Sequence, residues 1–125
     1  MWVLQTMDIQ AGSVPLTPNT QITLYLNPDG TISGYGGCNN YWSTYNLTGA
    51  KTPKGDGMIV GPVTSTKKYC TATSSQESTY YQGLQNTAAY VVNGNLLTLT
   101  DKYQNALIYQ QAGSIVTTPY YPHPA

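Results

Sequence analysis

Few side chains in this sequence can move a proton or hold a metal, and their settings decide what they do. His123 is the single histidine and lies between Pro122 and Pro124. A general base must be held within hydrogen-bond reach of its target, which a proline-rich tail does not provide. Without it, no Ser-His-Asp or Cys-His dyad can be assembled. Asp29, Asp56 and Asp101 fall in turn-like segments, where aspartate bonds its own backbone. Glu77 stands three residues after Ser74, the spacing of a capping box at a helix start. Glycoside hydrolysis needs two carboxyls facing across a cleft, about 5–9 Å apart. Nothing in the sequence brings these four acids together. Two cysteines and a tail histidine fall short of a structural zinc set, and the Asp29 turn lacks the repeated acids of a calcium loop. Gly34, Gly36 and Gly37 precede aromatic residues instead of the helix start and lysine that a phosphate cradle requires, so they mark a bend. The sequence therefore predicts no catalytic residue, no metal and no cofactor.

Aromatic residues are the remaining candidates. Tyr35, Tyr41, Trp42 and Tyr45 cluster around the pair Asn39-Asn40. Ring faces beside amide groups can stack on and hydrogen-bond a sugar or another neutral ligand. The competing expectation is that the rings fill the core. There are 12 Tyr and no Phe, so tyrosine must supply aromatic core volume. Lys67-Lys68 is a solvated pair, not a patch.

The elements that must position these residues read as strands. Trp2 to Met7 is a first strand. In Gln21–Leu26, apolar Ile22, Leu24 and Leu26 alternate with polar positions, the period of a half-buried strand. Asn27-Pro28-Asp29-Gly30 is a turn that returns into Thr31–Tyr35. Cys38 to Leu47 follows, with Tyr41 and Tyr45 on one face and Trp42 and Thr44 on the other. Residues 52–57 read as a loop and Met58–Val63 as a short strand. Ser74 caps a helix to about Asn86, with Tyr80, Tyr81, Leu84 and Ala88 at helical spacing. Asn93-Gly94 between two β-rich runs calls for a tight hairpin turn. Ala106–Tyr109 is a strand, and Ile115-Val116 a possible last one. The fold class is mainly β, a small antiparallel barrel-like sheet of about seven or eight strands with one helix at 74–86 packed on it. The domain covers 1–113, and 114–125 hold the possible last strand and a proline-rich tail.

Composition excludes several partners. The 125 residues carry five Lys or Arg and five Asp or Glu, a net charge of zero, and only 8% are charged. Such a chain has no electrostatic footprint for nucleic acid. No apolar run approaches the roughly 20 residues of a membrane span. The start, Met1–Gln5, lacks the basic and apolar regions of a signal peptide. A neutral surface rich in Thr, Asn and Tyr fits an extracytoplasmic protein, secreted or associated with the cell envelope. Cys38 and Cys70 form either one disulfide or two buried thiols.

The ordered set of motifs resembles the META domain, the HslJ-like family of envelope and secreted proteins. Trp2-Val3-Leu4 is similar to its opening strand. Gly34-Tyr35-Gly36-Gly37-Cys38-Asn39-Asn40-Tyr41 resembles its central bend, and Thr66–Cys70 its Thr-x-x-x-Cys segment. Glu77, Tyr80 and Leu84 match its helix; Asn95–Leu99 and Leu107–Tyr109 match its closing strands. The chain departs from the pattern at Lys68-Tyr69, where the family usually carries Met-Ala, and at Trp42-Ser43, where a glycine often follows the tyrosine. The resemblance implies a small β-barrel-like sheet, a Cys38–Cys70 disulfide and no catalytic residues. It also implies a role in stress response or envelope maintenance, often as a lipoprotein.

Two functions follow as expectations. The first is a non-enzymatic module that contacts a protein partner. The second is a barrel that holds a sugar, lipid or other small neutral molecule near Tyr41, Trp42 and Tyr45. The candidate surface for either is Tyr35, Asn39, Tyr41, Trp42 and Tyr45.

Overall fold

A computed structural model describes residues 1–9, 12–14, 16–18, 20–103 and 105–112. The possible strand at Ile115-Val116, the proline-rich tail and His123 lie outside the described residues. The strands are β1 (Trp2–Ile9), β2 (Gly12–Val14), β3 (Thr23–Leu26), β4 (Thr31–Tyr35), β5 (Asn40–Thr52), β6 (Gly55–Val60) and β7 (Thr64–Ser65). Helix α1 (Ser74–Gln85) follows, then β8 (Ala89–Asn93), β9 (Leu96–Thr100) and β10 (Ala106–Gln111).

Eight of these strands close on themselves. The ladder runs β10-β9-β8-β6-β5-β4-β3-β1, and β1 pairs β10 to complete the ring. Every pairing is antiparallel. β2 and β7 pair beside the ring, on β1 and β5. Closure leaves no free edge around the barrel, which matters for a chain with so few charges to keep edges apart. The alternation read in the sequence sets which residues face inward. Ile22, Leu24, Ile32, Tyr41, Leu97, Leu99, Leu107 and Tyr109 are all buried. β1 shifts register between Leu4 and Thr6, a bulge that keeps both Leu4 and Met7 in the core.

An eight-stranded barrel is just wide enough for its own side chains to fill. Here α1 closes the packing: Glu77, Tyr80 and Leu84 form its buried stripe. Tyr80 and Leu84 join the same apolar cluster as the strands. Gly83 lies against Leu107, 3.4 Å from where a β-carbon would stand.

Four expectations change. The loop at residues 52–57 is a tight hairpin: β5 runs to Thr52 and β6 starts at Gly55, with Thr52 opposite Gly55. The β8–β9 turn is Gly94-Asn95, because Asn93 pairs Leu96. Ala88 falls beyond the helix and is exposed, while Ala89 is buried. The capping box does not form. Thr73 precedes the helix without a side-chain cap, Ser74 Oγ bonds back to Cys70, and Glu77 faces another element altogether.

Candidate functional site

Glu77 points across to the bend between β4 and β5. Its Oε2 accepts the backbone N–H of Cys38 at 3.1 Å and of Asn39 at 2.7 Å. Its Oε1 accepts Asn39 Nδ2 at 2.9 Å. Asn39 in turn fastens the segment before the helix. Its amide donates to the Lys68 carbonyl, and its Oδ1 accepts from Lys68 N–H and Thr66 Oγ1. Both residues are buried. Cys38 and Cys70 form a disulfide across the same junction. The bend, the 66–70 segment and the helix start are thus one fastened unit. Tyr81 stands beside it; burial first, and then the Glu77 charge, raise the pKa of its phenol. Gly36 has no room for a side chain, since a β-carbon would sit 2.8 Å from Glu77 Oε2.

The disulfide closes a sequence separation of 32 residues. Loop closure of that length is worth about 3.5–4 kcal/mol of unfolded-state entropy. Full reduction is expected to lower the unfolding free energy by about that amount, read by urea titration with and without reductant. An unchanged midpoint in a chain shown by alkylation to be reduced would contradict it.

A second buried unit crosses the barrel. Tyr41 hydroxyl donates to the Thr23 carbonyl at 2.7 Å. It also lies 2.7 Å from the Tyr80 hydroxyl, which lies 2.9 Å from that of Tyr109. A phenol has one proton to donate. The carbonyl takes the proton of Tyr41, so Tyr80 must donate to Tyr41, and Tyr109 to Tyr80. The order is fixed from one end. Gly34 permits it, because a β-carbon there would run into the Thr23 carbonyl and sit 2.7 Å from the Tyr41 hydroxyl. Burial first, and then neighbouring phenols, hold all three pKa values well above the usual tyrosine range.

Asp29, Asp101 and Asp56 also have partners. Asp29 accepts from the hydroxyl and amide of Thr31, which hold its pKa below the usual range. Asp101 accepts from Tyr103 N–H, Asn105 N–H and Asn105 Nδ2. Asp56 pairs with exposed Lys51 at 3.0 Å. Among the described residues, no three His, Cys, Asp or Glu side chains stand close enough to hold a metal.

The five candidate surface residues therefore divide. Asn39 and Tyr41 are interior and structural. Tyr45 is half-buried, with its hydroxyl on the Asn27 carbonyl. Tyr35 and Trp42 are exposed on the outer face of the sheet. Tyr25, missed in the sequence, joins them. Register places Tyr25 beside Ser33, Ser33 beside Trp42, and Trp42 beside Thr64, in one row across β3, β4, β5 and β7. Tyr35 and Asn40 form the next row. The signal for Tyr25 was in the alternation, since it is an outward position of its strand.

The model of the META domain matches residues 1–114. The chain belongs to the META domain family. Two solved structures share the META fold seen here. One is the NMR structure of a protein from Burkholderia xenovorans, 20% identical, with a TM-score of 0.71 over 89% of this chain and 80% of that one. The other is the crystal structure of a DUF4847 family protein from Bacteroides vulgatus, 16% identical, with a TM-score of 0.58 over 87% of this chain and 89% of that one. At these identities the likeness speaks for the barrel alone. No curated protein matches the chain. Among the described residues, no helix is long and apolar enough to cross a membrane.

Proposed function

We propose that this META domain is a non-enzymatic recognition module of an extracytoplasmic protein, serving the envelope or the response to stress, and that it binds through the outer aromatic face of β3, β4 and β5. The observation that carries the reading is a division of labour. Glu77, Asp29 and Asp101 and the phenols of Tyr41, Tyr80 and Tyr109 are spent on internal bonds, while Tyr25, Tyr35 and Trp42 face outward. Glu77, Asn39 and Tyr41 are 6%, 4% and 1% exposed, whereas Trp42 is 47% exposed. A disulfide suits an oxidising compartment. A side-chain-filled interior favours the outer face over the inside of the barrel as the place for a partner.

The test is turnover against binding. The purified chain is expected to hydrolyse none of a panel of chromogenic esters, glycosides and phosphate esters. Turnover that survives purification and disappears in Glu77→Gln or Tyr41→Phe, with the variants still folded, would overturn the reading.

A further inference from the structure

The outer aromatic face carries more than exposure. Tyr25 and Trp42 stand in register on β3 and β5, with β4 between them. Two interstrand spacings separate them, about 9.6 Å. The residue between is Ser33, a small side chain that leaves a floor between two rings. The result is an open depression of about 410 Å³ whose rim includes Tyr25, Tyr35, Asn40 and Trp42. Tyr25 hydroxyl is bonded to Met1 Sδ at 3.1 Å.

The chemistry of this face is neutral throughout: phenols, an indole, a hydroxyl and an amide, with no acid or base on its lining. Nucleic acid would need cations along it, and an anionic lipid surface would need a basic cluster. A protein hot spot would need a contiguous apolar centre. Here the rings are separated by Ser33 and flanked by Asn40 and Thr64. Separated ring faces with hydroxyl and amide groups between them suit a ligand that is itself apolar on its flat faces and hydroxylated at its edges.

We propose that this face binds an extended, neutral, β-linked polysaccharide, with Tyr25 and Trp42 stacking on alternate sugar rings. The match is one of repeat. Successive units of a ribbon-like β-linked chain flip face, so every second ring presents the same side, at a spacing comparable with two strands of a sheet. Ser33 and Asn40 then meet the edge hydroxyls of the sugars. A helically coiled α-linked glucan presents no such flat repeat. The assignment rests on the reading of this face as the recognition surface and names its ligand class.

The probes are insoluble cellulose and chitin, with starch granules as the α-linked control. The intact, oxidised chain is expected to be retained on at least one β-linked polymer and not on starch. Trp42→Ala and Tyr25→Ala should each weaken retention about tenfold, the loss of one stacked ring. Tyr25→Phe should keep most of it, since the ring remains. Both positions are exposed, so urea midpoints should be unchanged in all three variants and a folding defect is separable. Retention should vary little with salt, because no charge pair is being screened. Absence of retention on both polymers would overturn the glycan assignment while leaving the recognition face standing. Retention indifferent to Trp42→Ala, equal on starch, or lost steeply with salt would overturn it as well. Turnover that depends on Glu77 would instead strike the broader reading, so the two failures are distinguishable.

Discussion

Replacing Glu77 by alanine is expected to cost about 4–5 kcal/mol of unfolding free energy, a large fraction of what holds a domain of this size together. The reason lies in what is left behind. The N–H groups of Cys38 and Asn39 and one proton of Asn39 Nδ2 all end on this carboxylate, in a buried setting. A buried donor left unpaired costs about 1–3 kcal/mol, and the alanine variant leaves up to three. Glu77→Gln separates the contributions. Its single carbonyl can still accept both backbone N–H groups, but its amide then faces Asn39 Nδ2, donor against donor. Asn39 cannot rotate to relieve this, since its Oδ1 already accepts from Lys68 and Thr66. The glutamine variant should therefore lose about 1–2 kcal/mol, clearly less than alanine. Urea unfolding of the three chains, followed by tryptophan fluorescence, reads the order. Equal stabilities for alanine and wild type would show that solvent replaces the carboxylate and that the bend does not depend on the helix.

The carboxylate and the disulfide fasten the same junction, so their losses should not simply add. Residues sharing one network couple by about 0.5–3 kcal/mol. In a reduced chain the 66–70 segment is still held through Asn39, and Asn39 through Glu77. The second of the two losses is expected to cost more than the first, which a double-mutant cycle with the Cys38 and Cys70 alanine pair measures.

This junction also marks the boundary of what the sequence reveals. Strand alternation made the barrel legible: Ile22, Leu24 and Leu26 on one face, Tyr41 and Trp42 on opposite faces. Those are local patterns with a period of two, and the structure keeps them. Turns were legible in kind but not in register, because Asn93-Gly94 and Gly94-Asn95 differ by one residue and cross-strand pairing decides between them. Glu77 was misread for a related reason. Ser74-x-x-Glu77 is a local signature, and the competitor that won lies 38 and 39 residues earlier in the chain. No local pattern announces that two buried N–H groups of a distant bend require an acceptor. The Gly-Cys-Asn bend could have hinted at it, since a glycine-rich turn that must be buried leaves backbone donors to satisfy. Tyr41 has the chemistry of a surface candidate, but its strand alternates it with exposed Trp42 and places it in the core. Tyr25 is the converse case: it is the one aromatic residue of its strand, and only the register of β3, β4 and β5 brings it into line with Trp42.

Above about pH 10 the protein should lose stability steeply, and the buried phenols are the cause. Tyr41, Tyr80 and Tyr109 have folded-state pKa values held well above the ordinary value, first by burial and then by one another. In the unfolded chain each titrates near 10. Below that pH both states carry the proton, and the groups contribute no slope. Above it the unfolded chain releases protons that the folded barrel retains, so the unfolded state binds fewer. Stability then falls as pH rises, by about 1.4 kcal/mol per pH unit for each phenol and about 4 for the three. Urea unfolding at a series of pH values should give a flat profile through neutrality and a break near pH 10. Tyr80→Phe tests the assignment. At neutral pH it should cost about 1–2 kcal/mol, because Tyr109 loses its acceptor and Tyr41 its donor. Above pH 10 the slope should shrink by one proton's worth, about 1.4 kcal/mol per pH unit, since one of the retained protons has been removed from the balance. A barrel that stays folded while all its phenols titrate in the ordinary range would contradict this. It would mean that water reaches the tyrosine line through the barrel, and an interior open to water would also be open to a ligand.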